Sequence, residues 1–311
     1  MTRADRDRDG LVTDPVKGAR LKQLAAGAAV AVAVGLVAVK GVAWSHTGSV
    51  AMLSSLVDSC IDAVISLANL WAIRYALVPA DREHRFGHGK AEAVAGLGQA
   101  AFIAGSAVFL LFESANRLLH PATVENSETG IVVMVFAIAV TLGLVLFQRY
   151  VVRRTDSVAI AADSLHYRGD LLMNLGVIAA LVLAMELGWH IADPIVAIGV
   201  AVYILYSAWT ILRRSLDFVM DREFPRQTRR EIMDIALAHS EVLAVHDLRT
   251  RSSGIRAFIQ LHLEMDGEMS LYRAHQIADE VEVEIYARFP EAEVMIHQDP
   301  AGLDEGHRTF A

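Results

Sequence analysis

The chain of 311 residues is short of several things that would have narrowed its reading early. It has one cysteine, Cys60, set within an apolar run, so neither an intramolecular disulfide framework nor a CxxC zinc site is available. Charged residues make up only 21% of the chain and hydrophobic ones 54%, with a mean hydropathy of +0.38, which excludes intrinsic disorder and argues against a wholly soluble globule. The net charge is −8 and the C-terminal third holds no basic block, so no nucleic-acid partner is expected. No HExxH motif occurs to supply a metalloprotease's zinc ligands and base.

What is present in quantity is apolar sequence. Six stretches of bilayer-spanning length follow one another: Leu21 to Ala43, Gly48 to Leu77, Ala91 to Leu118, Thr129 to Val152, Val158 to Leu187 and Ile191 to Leu212. Short polar joins leave nothing to cover so many apolar helices except lipid. The first follows a polar leader with Asp5, Asp7, Asp9 and Asp14 and is too long for a cleavable signal, so it reads as a retained helix. Arg3, Arg6, Arg8, Lys17, Arg20 and Lys22 precede it; Arg74, Arg82, Arg85 and Lys90 fall between the second and third; Arg149, Arg153 and Arg154 between the fourth and fifth; Arg213 and Arg214 after the sixth. The opposite joins hold little beyond Lys40 and Arg117, so both termini are expected to be cytoplasmic.

After Arg214 the composition becomes mixed and charged. Helical spacing over Arg226 to Ser240, strands over Val242 to Arg251 and Ile255 to Met265, a helix over Leu271 to Phe289 and a strand over Glu293 to Asp299 predict a small αββαβ domain. In the second strand Ile259, Leu261, Leu263 and Met265 share one face, with Gln260, His262 and Glu264 on the other. The expected division is a tail over 1–20, a six-helix membrane domain over 21–214, a soluble domain over 215–300 and a tail over 301–311.

Charges within the apolar stretches carry the chemistry. Asp58 and Asp62 are four apart on one helix face, and His166 and Asp170 repeat the spacing. An intramembrane carboxylate costs about 2.5 to 3.5 kcal/mol even on the lenient insertion scale. One nitrogen and three oxygens converging from two helices match a tetrahedral dication such as zinc. Asp163, about one turn from His166, is a reserve candidate, whereas Cys60, about 200° round from Asp58, reads as packing. The loop residues Asp81, His84 and His88 form a second, weaker constellation, with solvated loop histidines as its alternative. In the soluble domain, His246, His262, His275, His297 and Asp299 spread over several elements predict a metal cluster.

The segments SLVDSCIDAVISL at 55–67, DREHRFGHGKAEAVAGL at 81–97, ADSLHYRGDLLMN at 162–174, VHDLRTRSSG at 245–254, FIQLHLEM at 258–265 and MIHQDP at 295–300 resemble the cation diffusion facilitator family, nearest its bacterial YiiP-like zinc and iron efflux branch. The resemblance spans about Leu21 to Pro300. It implies a homodimer in the bacterial inner membrane with metallochaperone-like cytoplasmic domains, exporting Zn(II) or a similar cation in exchange for protons. Zinc would be substrate and structural or regulatory ion, with no organic cofactor. The transport ligands would be Asp58, Asp62, His166 and Asp170, the loop site Asp81, His84 and His88, and the soluble cluster His246, His262, His275, His297 and Asp299. Lys90 would pair with Asp221 of the partner subunit. Arg168 departs from the family pattern, which has an uncharged residue there, and the join between the fourth and fifth helices lacks the His-rich insertion of some eukaryotic zinc transporters. The rival readings are a divalent-cation channel, disfavoured because a chelating site releases ions slowly, and a transporter of the same fold selective for Mn(II) or Fe(II).

Overall fold

A computed structural model describes residues 15–48, 50–119, 128–187, 192–254, 256–290 and 292–302. The leader before residue 15, the tail after residue 302 and the joins 120–127 and 188–191 lie outside the described residues. The chain separates into two compact units, Met1–Leu216 and Asp217–Ala311.

Among its described residues the first unit contains six long helices: α1 (Pro15–Thr47), α2 (Val50–Ala76), α3 (Lys90–Leu119), α4 (Glu128–Thr155), α5 (Val158–Leu187) and α6 (Ala192–Val219). Among the described residues, five of them (α1, α2, α3, α4 and α6) have the length and composition to cross a membrane. Over its described residues α5 is not among the five, and Asp163, Arg168 and Asp170 fall in its first half. That helix is nevertheless the hub of the bundle.

Buried alanines 25, 26 and 29 on α1 leave room for close packing, so Ile73 of α2, Val151 of α4 and Ile160 of α5 meet in one cluster, with Leu144, Val145 and Tyr167 in the next. On its other side α5 places Leu165 beside Ile103 and Ala107 of α3 and Ile204 and Ala208 of α6. Gly169 makes the α6 approach possible: a Cβ there would stand 3.0 Å from Ile204 Cδ1. Where the sequence suggests that Lys40 lies at an outer join, the structure corrects it, because α1 continues to Thr47 and Lys40 is inside the helix.

The second unit is built from α7 (Arg226–Leu237), β1 (Ala244–Ser252), β2 (Ala257–Met265), α8 (Leu271–Arg288) and β3 (Ala292–Pro300). The sheet order is β1-β2-β3, with β1 antiparallel and β3 parallel to the central β2. A parallel neighbour requires a crossover, and α8 supplies it. Ile259, Leu261, Leu263 and Met265 are buried against Ile232 and Ala236 of α7 and Ile277, Val281 and Ile285 of α8. The two helices therefore cover one sheet face, and the face carrying His262 is the other.

A buried ion pair ties the start of α1 to the first turn of α3: Lys22 Nζ lies 2.7 Å from Glu92 Oε2, with side chains only 9% and 10% exposed. Removing one partner leaves a buried charge alone, whereas removing both does not. Lys22→Met is therefore expected to lose about 3 to 5 kcal/mol, and Lys22→Met/Glu92→Leu to recover most of it. Unfolding of the detergent-solubilised protein checks this; a double variant no more stable than the single one contradicts it.

Candidate metal centres

The intramembrane centre is assembled by two neighbouring links between α5 and α2. His166 Nε2 lies 2.9 Å from Asp62 Oδ1, and the hydroxyl of the adjacent Tyr167 lies 2.8 Å from Ser66 Oγ, one turn further along α2. The Tyr167 hydroxyl also lies 3.3 Å from the Ala29 carbonyl, so the ring beside His166 is fixed against α1 as well. Asp170 follows one turn after His166, its Oδ2 3.7 Å from the same Nε2. Ligand atoms of Asp62, His166 and Asp170 all fall within 4.8 Å of one another.

Asp58 does not join that trio. It is exposed, yet lines the same cavity of about 440 Å³, and among the described residues it makes no hydrogen bond or ion pair. Lys40 was missed as a site residue by sequence reasoning and lines the cavity too. Its Nζ donates to Ser59 Oγ at 2.7 Å and to the Ser55 carbonyl at 3.2 Å. A cation inside a predominantly apolar helix was the available signal.

The reserve candidate Asp163 is fully buried and engaged elsewhere. Gln99 Nε2 donates to its Oδ1 at 3.1 Å and Gln148 Nε2 to its Oδ2 at 2.6 Å, which pins α3 and α4 to α5. Arg168 turns back along its own helix, Nη2 donating to Ser164 Oγ at 3.1 Å. Cys60 is exposed on α2 and joins no ligand group.

In the α2–α3 loop Asp81, His84 and His88 do come together. Asp81 Oδ1 accepts from the backbone N–H groups of His84 (2.6 Å) and Glu83 (2.9 Å) in a tight turn, and those bonds, the His84 one foremost, hold its carboxyl below the usual carboxylate range. Its other oxygen lies 3.4 Å from His88 Nε2. Gly87 at φ +82° allows the chain to fold back and bury His88, whose Nδ1 lies 3.3 Å from the Val78 carbonyl.

The soluble centre follows from strand register. His246 pairs with His262 and His262 with His297, so three imidazoles form a row across all three strands, ring centroids 5.1 and 4.6 Å apart. Asp299, two residues beyond His297 and so on the same face, is the buried hub: His262 Nδ1 at 2.8 Å, His297 Nε2 at 3.0 Å and His246 Nε2 at 3.2 Å surround its carboxylate. His246, His262 and Asp299 meet the spacing of a metal group, a nitrogen and oxygen donor set that fits zinc. His275 is not brought to this group; it is exposed on α8 with Nε2 3.7 Å from Asp279. Asp221, at φ +56°, has Oδ2 3.6 Å from Arg251 of its own unit, and Lys90 opens α3.

A helical membrane bundle around an acidic, histidine-bearing cavity, joined to an α+β unit with its own imidazole row, defines a membrane protein that handles metal cations. The model of the cation efflux transmembrane domain matches residues 27–219, and that of the cation efflux protein cytoplasmic domain matches residues 224–301. The chain is 49% identical over 282 residues to the cation-efflux pump FieF of Shewanella oneidensis, covering 91% of this chain and 95% of that protein. It is 47% identical over 284 residues to the cation-efflux pump FieF of Klebsiella pneumoniae, covering 91% and 94%. Among solved structures, the metal-bound C-terminal domain of the CzcD transporter from Thermotoga maritima is similar at 31% identity, with 26% of this chain and all of that one covered and a TM-score of 0.24. The chain belongs to the cation diffusion facilitator family, in its YiiP-like branch, and is a multi-pass cation efflux transporter.

Because all three histidines of the row lean on Asp299, Asp299→Ala is expected to release more zinc from the purified protein than His297→Ala, whose ring is 62% exposed. Zinc retained after dialysis, counted per chain, measures this, and equal retention by the two variants runs against a central role for Asp299.

Proposed function

We propose that the protein exports Zn(II), with Cd(II) and Fe(II) as alternates, from the cytoplasm in exchange for protons, as a homodimer in the bacterial inner membrane with both termini cytoplasmic. The observation that carries this reading is the convergence of Asp62, His166 and Asp170 from two helices on one point of an intramembrane cavity. Asp58, one turn before Asp62 and lining the same cavity, is the fourth ligand in this reading.

The electrostatics supply the exchange. Three carboxylates and a neutral imidazole around a dication sum to −1. When the ion leaves, three negative charges remain in a poorly solvated place, and uptake of a proton relieves their repulsion. Metal and proton thus compete for the same atoms. Exposing them alternately to the two sides lets the inward proton gradient drive the cation out. With every position filled by a side chain, none is reserved for an activated water, so the centre suits binding and release.

Asp81, His84 and His88 form a second, loop metal site in this proposal. His246, His262, His297 and Asp299 hold a structural or regulatory ion, and Lys90 pairs with Asp221 of the partner subunit. Ions held in the soluble unit lie off the membrane-crossing route and act by stabilising the folded unit that binds them.

Asp62→Ala and Asp170→Ala are expected to abolish zinc-dependent proton flux in proteoliposomes while the dimer still assembles, since the apolar helix contacts are untouched. Normal exchange by either variant would falsify the assignment.

His166→Asp removes the only nitrogen donor and is expected to move preference from zinc and cadmium toward manganese. An unchanged cation ranking in the same assay would show that His166 does not bind the ion directly.

A further inference from the structure

We propose that Lys40 is a release-promoting residue of the transport site: an ammonium held beside the cavity that competes with the bound cation for the cavity's carboxylates. The proposal rests on the transport reading of Asp58, Asp62, His166 and Asp170. Lys40 comes from α1, yet both acceptors of its Nζ, the Ser59 hydroxyl and the Ser55 carbonyl, are on α2, on either side of Asp58 in sequence. Lys40, Asp58, Asp62, His166 and Asp170 all line one cavity.

A hydroxyl and a carbonyl hold an ammonium in place without neutralising it. The charges that balance Lys40 are the carboxylates across the cavity, and those are the charges a dication requires. Counting it in, three carboxylates, a neutral imidazole and one ammonium sum to −2, which a single dication brings to zero. The same positive charge repels the ion it helps to balance. Coulomb repulsion between an ammonium and a dication several Å apart, at an effective dielectric constant of about 20, weakens binding by at least about tenfold.

Position gives the effect a direction. Ser55 and Ser59 precede Asp62 on α2, and Lys40 is near the end of α1, so the ammonium stands toward the α1–α2 join. With the termini cytoplasmic, that is the release side. An outgoing ion passes Lys40, and an ion returning from outside meets it first. The four-carbon stem lets Nζ move from its serine toward the carboxylates as the ion leaves.

The test is zinc transport by the full-length protein in proteoliposomes, with zinc varied on the loading side and then on the release side. Lys40→Gln is expected to lower KM for zinc at least about tenfold, to lower kcat because release is slowed, and to make transport correspondingly more sensitive to zinc on the release side. Lys40→Arg keeps the charge and is expected to hold KM within about threefold of the unaltered protein. Ser59→Ala frees the ammonium from its hydroxyl without removing it and is expected to shift KM upward, the opposite direction. A structural role alone would lower the melting temperature and the rate without a drop in KM.

Unchanged KM and unchanged release-side sensitivity in folded Lys40→Gln overturn the proposal. Should that variant fail to assemble, Ser59→Ala decides: a raised KM supports competition and an unchanged KM refutes it. Asp170→Ala in the same vesicles separates the two levels of inference. If it abolishes flux while Lys40→Gln leaves KM unaltered, only the role of Lys40 falls, whereas intact flux in Asp170→Ala removes the transport reading beneath it.

Discussion

The 2.9 Å contact between His166 and Asp62 joins two helices that the rest of the bundle must hold at one depth and one rotation. Each group is costly to place in an apolar helix, and each becomes acceptable only beside a partner of complementary charge or beside a cation. Tyr167, about 100° round the helix from His166, is fully buried, and its hydroxyl bridges Ser66 and the α1 backbone. Gly169, between His166 and Asp170, has no side chain because Ile204 of α6 occupies that space. The sequence HYRGD is thus one turn of helix in which every position is constrained by a different neighbour.

The soluble unit solves the same chemical problem with different geometry. A helix brings side chains onto one face at four-residue spacing, as with Asp58 and Asp62 on α2 and His166 and Asp170 on α5. A sheet brings them together across strands, and the register His246, His262 and His297 places one imidazole on each strand with Asp299 one alternation further along. The helices α7 and α8 cover the opposite face, so the apolar core and the polar row do not compete for space.

Much of this was legible in the sequence because it depends on periodicity. The six helices, the αββαβ order, the alternation through Ile259 to Met265 and the four-residue pairing in α2 and α5 are all local patterns. Rotation and depth between helices are not local. Sequence alone could not say that Asp58 stays outside the close trio, that Lys40 turns into the cavity instead of marking a join, or that Arg168 bends back to Ser164. Nor did it reveal that His275 stands apart from the imidazole row, since the spacing of a helical residue against a strand depends on where the crossover lands.

Four kinds of charge burial coexist in the membrane unit, and their differences say which one is available to an ion. Lys22 and Glu92 neutralise each other. Both carboxylate oxygens of Asp163 are occupied by amides from Gln99 and Gln148, so a metal would have to displace two hydrogen bonds to use them. Lys40 is held by a hydroxyl and a carbonyl that leave its charge intact. Among the described residues of this unit, it is around Asp58, Asp62, His166 and Asp170 that carboxylate oxygens face a cavity with their hydrogen-bonding capacity largely unspent. Asp163 is closest to this group in sequence and shares its residue type, so composition cannot separate structural carboxylate from ligand. Saturation by neighbours sets Asp163 apart, and the proposed ligand role of the others rests on their incompleteness: a site built to exchange its occupant must leave its own donors less than satisfied when the occupant is gone.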